Sequence, residues 1–459
     1  MFPGRLVLLV HCVVAASSAL AVAPPPATLN DRQLLQLIEQ LGDQDFRVRD
    51  RAEEQLSQQG AVALPYLRKA LSHRDPEIRR RALRLIPSLE HAVLVAPRCV
   101  TLRVRNRPLL EILEEISKQT GYKIQHQGGA IVRRVVVAGA APVPVPVVPA
   151  GANASDTFSF DFANTPFWDA IEEICQASNL SVQNSYGDDI VRLSSYGQSP
   201  GFVGRSGAFR YWATSLQLYR NVDLSQRGTP SRAETLTLNV QLAAEPRLPF
   251  LGIGQPQLEL AYDNERNSLL PNMTPEEQEM KFGRVSRYYG GSYKQLNMSF
   301  SVQLNRVSEK ATSIKLLRGV IPVTVLTETR PAVIADKILS ASKTKTVVGD
   351  IEFTIESTKA LANNQYEIKF SATNKAVNND YSWMNNLYQR LELQDAAGNK
   401  YQQWGSNWHG GGGNSVSMTL TYNGNNGPVK PGPPQRFVYQ VWSSRTHPIH
   451  FEFRDIPLP

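Results

Sequence analysis

Two tryptophans and a histidine lie just before a run of glycines near the end of the chain. Trp404, Trp408 and His409 precede Gly410 to Gly413 in the stretch YQQWGSNWHGGGG. Aromatic rings on a glycine-rich loop present flat apolar faces that can stack on sugar rings. The other interpretation is a tryptophan packed against the end of a folded domain, beside a flexible loop. Trp404, Trp408 and His409 are therefore the candidate binding residues, and both interpretations stay open.

A second stretch, HPIH, places His447 and His450 three residues apart. With Pro448 between them it predicts a strand, on which residues three apart point to opposite faces. No cysteine or acidic residue beside them completes a zinc-binding set. The sequence therefore predicts no metal site here.

The segment GQSPG at 197–201 matches the G-x-S-x-G pattern of a serine nucleophile. That nucleophile needs a strand before it and a helix after it. Here a proline follows the serine, and the next residues, FVGRSGAF, are typical of a connector. We expect a linker between domains.

Two pairs of adjacent carboxylates, Glu114-Glu115 and Glu172-Glu173, could suggest acid–base chemistry. Adjacent positions on a helix point about 100° apart. Nothing in the sequence desolvates these side chains to raise a pKa. We expect both pairs on solvent faces, and we expect no catalytic residue, no cofactor and no metal.

Both glutamate pairs belong to a stretch that occurs twice. Residues 100–125 and 158–183 align without a gap after a shift of 58 (158 − 100), and each contains N-x-P followed by a helical stripe. Alternating apolar residues before and after each helix predict strands. A further strand follows each copy, at 131–133 and 190–192. We expect a β-α-β-β pattern twice, in one sheet that carries both helices on one face.

The two copies are expected to form a single pseudo-symmetric domain, because each alone is too small for a secure core. If so, Phe167 and Trp168 of the second copy share a core with Leu109 and Leu110 of the first.

The order strand, N-x-P, helix, strand, strand, repeated once, resembles the short N-terminal domain of secretins and TonB-dependent receptors. The runs VTLRVRNRPLLEILEEISKQTGYKI and FSFDFANTPFWDAIEEICQASNLSV carry the resemblance, which covers 98–196. The chain departs from the pattern at 139–156, a Pro-rich segment that predicts an extended or mobile loop. The resemblance implies a periplasmic domain that binds other envelope proteins and carries no catalytic residues.

The amino-terminal part, 27–95, is predicted to be helical. The runs DQDFRVRDRAEEQL and DPEIRRRAL repeat after 30 residues (75 − 45) and resemble HEAT repeats. The resemblance implies an Asp–Arg ladder between neighbouring repeats. The side chains of Arg79-Arg80-Arg81 splay round a helix, so we expect a solvated surface rather than a basic binding patch.

After residue 196 short alternating runs separated by turn residues predict two β-sandwiches, at 205–340 and 345–459. The run RLELQDAAGNKY, with Asn374 upstream, resembles exported immunoglobulin-like domains. Asp395 to Gly398 then form a turn that needs glycine at positive φ.

Composition limits the classes of partner. The 459 residues carry 49 basic and 41 acidic side chains, a net charge of +8 that is dispersed along the chain. Nucleic-acid binding usually needs a clustered basic face, so we expect no nucleic-acid partner.

The first residues are typical of an export signal. Residues 1–23 hold one early charge, Arg5, an apolar run and an A-x-A site. Cleavage is expected, with a retained anchor as the alternative, and no later stretch predicts a membrane span. Cys99 and Cys175 remain, either as separate thiols or as a disulfide.

These observations predict a multidomain α+β protein: a small α-helical HEAT-like module, a β-α-β-β-α-β-β mixed domain, then two β-sandwich domains. We expect a non-enzymatic, exported protein of the periplasm or cell envelope that docks another envelope protein. Binding of cell-wall polysaccharide through Trp404, Trp408 and His409 is the first alternative. A hydrolase of unknown type is the second.

Overall fold

The computed structural model describes residues 29–127, 156–183, 189–195, 200–223, 231–271, 294–306, 308–376, 383–384, 387–425 and 429–459. The chain forms two compact units, Met1–Ala96 and Pro97–Pro459. It is mixed α+β and rich in strands, with a small helical amino-terminal part. Among the described helices none is both long and apolar enough to cross a membrane. The predicted signal segment, the strand at 131–133 and all of the Pro-rich loop but Asp156 lie outside the described residues.

The described part of the first unit contains four α-helices: α1 (Asp31–Gln40), α2 (Phe46–Gln58), α3 (Leu64–Ala70) and α4 (Pro76–Val95). Asp45 and Asp75 cap α2 and α4 by accepting hydrogen bonds from backbone N–H groups in the first turn. Arg49 donates to the carbonyls of Asp43 and Gln44. The matching arginine of the second repeat donates in the same way to its own turn. The repeated Asp and Arg therefore stabilise each turn from within.

Arg81 makes the most buried ion pairs between the two repeats. Its guanidinium lies 2.9 Å from Asp50 and 2.7 Å from Glu53 on α2, and 2.9 Å from Glu77 on its own helix. Only 7% of Arg81 is exposed. The expectation that all three arginines of the RRR run are solvated was wrong for Arg81, because three carboxylates compensate its burial.

The second unit begins with the twice-used stretch. Its elements are β1 (Cys99–Pro108), α5 (Leu109–Thr120), β2 (Lys123–Gln127), β3 (Thr157–Pro166), α6 (Phe167–Ser178), β4 (Ser181–Gln183) and β5 (Ile190–Ser194). The expected single sheet was wrong, because β1 pairs with β3 while β2, β5 and β4 form a separate three-stranded sheet. The helices contribute wide apolar faces to one cluster that takes residues from both sheets.

An internal two-fold relation organises this region. The shift of 58 that superposes the copies carries Arg103 onto Asp161, and these two residues are direct partners in the antiparallel β1–β3 pair. The backbone N–H of Leu109 donates to the backbone carbonyl of Asp156. The N–H of Phe167 donates to the backbone carbonyl of Arg98 at the equivalent position of the other copy. The two copies therefore close on each other symmetrically.

The expected shared core is confirmed for three of the four residues named. Leu109, Phe167 and Trp168 belong to one buried cluster. Leu110 does not, since 46% of it is exposed. Leu110 follows the first helical residue and lies off the buried stripe of α5.

The next strands are β6 (Val203–Ser206), β7 (Phe209–Asp223), β8 (Ser231–Ala244), β9 (Phe250–Ile253), β10 (Gln257–Asp263), β11 (Asn297–Leu304) and β12 (Ser313–Asp336). They are followed by β13 (Thr344–Val348), β14 (Ile351–Leu361), β15 (Gln365–Asn374), β16 (Leu391–Asp395), β17 (Gln402–Gly412), β18 (Ser415–Asn423) and β19 (Pro434–Pro457). Three sheets result, in the orders β11-β8-β7-β6, β10-β12-β19-β16 with β9 on β12, and β13-β14-β15-β18-β17.

Strands β12 and β19 are 24 residues long each and pair along almost their whole length. The sheet they form packs against both of the others. One half of β19 contacts β15 through Phe437 and Phe370, and the other half contacts β7 through Phe453 and Tyr211. The runs PQRFVYQVW and IHFEFRDIPL, expected as two strands of 345–459, are one strand whose last part pairs with the beginning of β12.

Two β-layers share the β12–β19 ribbon: the first is built from β6 to β11 and the second from β13 to β18. The two layers have the same aspartate turn. Asp263 accepts hydrogen bonds from the backbone and side chain of Asn267, and Asp395 does the same with Asn399. Ile314 lies opposite the first aspartate and Pro434 opposite the second. The shift between those two partners (434 − 314 = 120) also carries Val325 onto Arg445, its own partner in the β12–β19 ribbon. The layers are therefore related by a second internal two-fold. The long strands β12 and β19 each run from one layer into the other.

The predicted turn after Asp395 is confirmed, with Gly398 at φ 87°. The corresponding position of the first layer is Arg266, also at positive φ. In both, the aspartate fixes the turn through its side chain.

Candidate binding surface on an exposed edge strand

Strand β17 presents the candidate aromatic residues at the edge of the five-stranded sheet. It pairs with β18 on one side only. Trp404 is 66% exposed and Trp408 49% exposed. The strand, QQWGSNWHGGG, contains no charged residue and no proline. Edge strands are usually protected by charged residues, lysine above all, or by proline. Within the described part of the chain, β17 therefore leaves a backbone edge open to another chain.

Two bulges divide β17. Register shifts occur between Gln403 and Gly405 and between Trp408 and Gly410. From Gly405 to Trp408 the ladder with β18 is regular. The regular part is the length of edge that another strand could extend, while the bulges twist its ends.

The glycine run belongs mainly to the strand rather than to a loop. Gly410 to Gly412 pair with the start of β18. Gly410 has φ 143°, and a Cβ on Gly411 would lie 2.2 Å from the carbonyl oxygen of Ser415. Glycine is required here because the two backbones meet at the closing end of a hairpin.

His409 is held on the strand by a hydrogen bond across the hairpin. Its Nε2 lies 2.7 Å from the hydroxyl of Thr419. The hairpin end is fixed to the body of the layer by Trp383, whose indole N–H donates to the carbonyl of Gly413 at 3.2 Å. Trp383 is half-buried against the apolar cluster of this layer. The exposed tryptophans therefore lie on a hairpin that side-chain hydrogen bonds of His409 and Trp383 hold in place.

The HPIH stretch lies in the middle of β19, as predicted for a strand. His447 stacks on Phe209 with ring centroids 5.5 Å apart. His450 is exposed and pairs with Val320. Across the described residues no group of three or more His, Cys, Asp or Glu side chains is placed to hold a metal ion.

The remaining candidate stretches separate into three cases. Residues 197–199 of the GQSPG segment lie outside the described residues. Glu114 and Glu173 are exposed as expected. Glu172 is not, because its carboxylate lies 2.9 Å from the buried guanidinium of Arg210.

Both cysteines described by the structure carry free thiols. Cys175 is buried, and burial raises its pKa to about 12. Cys99 is partly buried. Of the two alternatives left open by the sequence, the structure agrees with separate thiols and not with a disulfide between Cys99 and Cys175.

Sequence reasoning missed a polar junction between the twice-used region and the first β-layer. The carboxylate of Glu245 is completely buried and accepts hydrogen bonds from the hydroxyl of Tyr122 at 2.5 Å and from the backbone N–H of Arg98 at 3.0 Å. Burial raises the pKa of Glu245, and these hydrogen bonds and Arg247 oppose the rise. Arg210 is also buried at this junction, and burial lowers its pKa. A glutamate within AAEPRLP looks like a loop residue in the sequence, so only the fold reveals its partners.

Comparison with known proteins assigns no family. No family model and no curated protein matches the chain. A solved structure with weak similarity is described as the conserved domain protein from Bacillus anthracis. It is 8% identical over 55% of this chain and 91% of its own, with a TM-score of 0.15. Similarity at that level transfers neither fold nor function.

Proposed function

We propose that the protein is a non-enzymatic docking module of the cell envelope that binds another envelope protein by strand addition to β17. The observation that carries the proposal is the uncharged, proline-free edge of this strand, with Trp404 and Trp408 exposed along it. A partner strand would gain main-chain hydrogen bonds from the edge, and its side chains would contact the tryptophans.

Resemblances in the sequence set the context of the proposal. The helical unit resembles HEAT repeats, the twice-used region resembles the short N-terminal domain of secretins, and the run RLELQDAAGNKY resembles exported immunoglobulin-like domains. The secretin resemblance implies a periplasmic domain that binds other envelope proteins, which supports docking as the function. The context rests on analogy of fold and pattern.

Polysaccharide binding is the second candidate, favoured by the exposure of the same two tryptophans. An indole ring stacked on a sugar needs its face, whereas strand addition needs the backbone edge. The two functions therefore depend on different groups of one strand.

Charged edge variants distinguish these functions. Ser406 and Asn407 are exposed in the regular part of β17, so Ser406→Lys/Asn407→Lys puts two charges on the edge and leaves both indoles in place. The control is Val347→Lys, which adds one lysine to β13 at the opposite edge of the sheet.

The measurement is affinity capture of the tagged full-length chain after crosslinking in the cells that make it. Docking predicts a partner protein that is recovered with the wild type and with Val347→Lys, and at least tenfold less with the double variant. Equal recovery with the double variant would remove the proposal. Retention on cell-wall glycans that is lost in Trp404→Ala/Trp408→Ala but kept in the lysine variant would establish the second candidate instead.

A further inference from the structure

The twice-used region carries two equivalent helices, and among the described residues a hairpin of the chain covers one of them, α6. In the second copy, the hairpin formed by β6 and β7 packs on α6. The indole N–H of Trp168 donates to the carbonyl of Ala208 in the turn of this hairpin at 3.2 Å. The occupied face shows what chemistry this type of helix surface binds.

Two arginines of the hairpin hold it on α6. Arg205 and Arg210 are cross-strand partners on either side of the turn. Arg205 forms an ion pair with Asp169, and Arg210 lies 2.9 Å from Glu172. The side chain of Arg210 is 5% exposed and that of Glu172 is 11% exposed, so the second pair is largely removed from water. Charged hydrogen bonds of this kind fix geometry as well as charge.

The shift of 58 carries this recognition set onto α5. Trp168, Asp169 and Glu172 correspond to Leu110 (168 − 58), Glu111 and Glu114. The two carboxylates are retained, and the aromatic residue is replaced by another large apolar one.

The α5 face, defined as Leu110, Glu111 and Glu114, is open in the described part of the chain. Leu110 is 46% exposed. Glu114 has no ion-pair partner among the described residues, and Glu111 pairs only with Arg107, at 2.9 Å and with both side chains exposed. Such an exposed pair contributes little to stability and can be exchanged for a buried one.

An open groove of about 410 Å³ lies beside this face, between β1 and α5. Glu111, Glu114 and Glu115 line it together with the basic residues Arg103, Arg107 and Lys118, and Leu102 and Val104 of β1 add apolar surface. Arg103 is already paired with Asp161 and Arg107 with Glu111, so Glu114 remains available to a cation of a partner.

We propose that the α5 face binds a β-hairpin of a partner protein that presents two arginines at cross-strand positions, as this chain's own β6–β7 hairpin does on α6. The surface is distinct from β17, so this inference goes beyond the docking function proposed above. The carboxylates would pair with the two guanidinium groups, and Leu110 would contact the turn.

The test is selection of disulfide-closed β-hairpin peptides whose two cross-strand positions flanking the turn are randomised, against the intact chain. Arginine is expected to be enriched at both positions. The selected hairpins should bind Glu114→Arg and Leu110→Glu at least tenfold more weakly. Both positions are exposed, so these variants should retain the melting temperature of the wild type.

Glu173→Arg is the matched control, because Glu173 is an exposed glutamate of α6 outside the recognition set. It should bind the hairpins as the wild type does. Hairpins with both arginines replaced by glutamate should recover binding to Glu111→Arg/Glu114→Arg.

Selected hairpins without arginine enrichment, or hairpins that bind Glu114→Arg as tightly as the wild type, would overturn the proposal. Self-association of the chain that is abolished by Leu110→Glu would also overturn it, since the occupant would then be a second copy. The lysine variants of β17 should leave hairpin binding unchanged, so the two surfaces are tested separately.

Discussion

Single polar residues connect the parts of the second unit. Glu245 joins the first β-layer to Tyr122 and Arg98 of the twice-used region. Asn106 and Asn164 adopt left-handed conformations, with φ 49° and 53°, at equivalent points before the two helices. The backbone N–H of Asn106 donates to the hydroxyl of Ser159, and that of Asn164 donates to the hydroxyl of Thr101 in the other copy. These residues determine where the regular elements meet.

Glu245→Ala should lower the free energy of unfolding by about 3 kcal/mol, because it leaves the Tyr122 hydroxyl and the Arg98 N–H buried without an acceptor. Glu245→Gln retains an acceptor oxygen and should cost less. Urea unfolding followed by circular dichroism measures both. Equal losses in the two variants would show that the hydrogen bonds do not account for the effect.

Glu245→Gln should also change the pH dependence of the free energy of unfolding, because glutamine does not ionise. The pKa of Glu245 is raised in the folded protein above its ordinary value of 4.5, so the folded state holds more protons than the unfolded chain just above that pH. The contribution of Glu245 to stability is therefore full at low pH and falls as the pH rises through its folded pKa. Across this range Glu245→Gln should gain stability relative to the wild type. A constant difference between the two would contradict the raised pKa.

Asn106→Ala should lower the free energy of unfolding by about 1 kcal/mol, because a left-handed conformation strains an alanine. Asn106→Gly should be close to neutral, since glycine adopts this conformation readily. Thermal melting compares the two. If alanine and glycine behaved alike, backbone strain would not be the reason for asparagine in N-x-P.

At the scale of elements, the sequence predicted which segments form strands better than it predicted which strands pair with each other. The alternating runs around Leu236 to Leu242 and Asn297 to Leu304 are strands, because a half-buried strand imposes its period on its own residues. That period does not specify which strand lies beside which. The single sheet expected for the two copies was wrong for this reason, and the joining of two runs into β19 was not foreseen.

Phe451→Ala tests the passage of β19 from one β-layer into the other. Phe451 contacts Tyr211 and Phe300 of the first layer, although it lies near the end of the chain. The substitution should lower the free energy of unfolding by about 3 to 4 kcal/mol. Hydrogen exchange should show lost protection in β7, β8 and β11. Protection lost only in the second layer would mean that β19 does not stabilise the first.

At the scale of the whole molecule, the second unit is built from two internal duplications, each with a two-fold relation. One centres on the Arg103–Asp161 pair and the other on the Val325–Arg445 pair. The first duplication was predictable because its two copies align without a gap. The second was not, since its copies share little beyond the aspartate turn, and their relation appears only in the strand register.

The candidate site was predictable as residues but not as geometry. Trp404, Trp408 and His409 could be found from aromatic composition beside glycine. Their place on an edge strand could not, because the glycines suggested a loop. The α5 face could not be predicted as a binding surface from the sequence for a similar reason. Its proposed role is inferred from the hairpin that packs on the equivalent face of α6, and that contact is seen only in the structure.

Amide hydrogen exchange of β17 tests the docking function most directly. With the captured partner added to the full-length chain, the amides between Gly405 and Trp408 that point away from β18 should exchange at least tenfold more slowly, while those of β13 at the other edge stay unchanged. Slower exchange is expected because an added strand accepts hydrogen bonds from the open edge. Unchanged exchange of β17 in the presence of a bound partner would contradict strand addition at this edge.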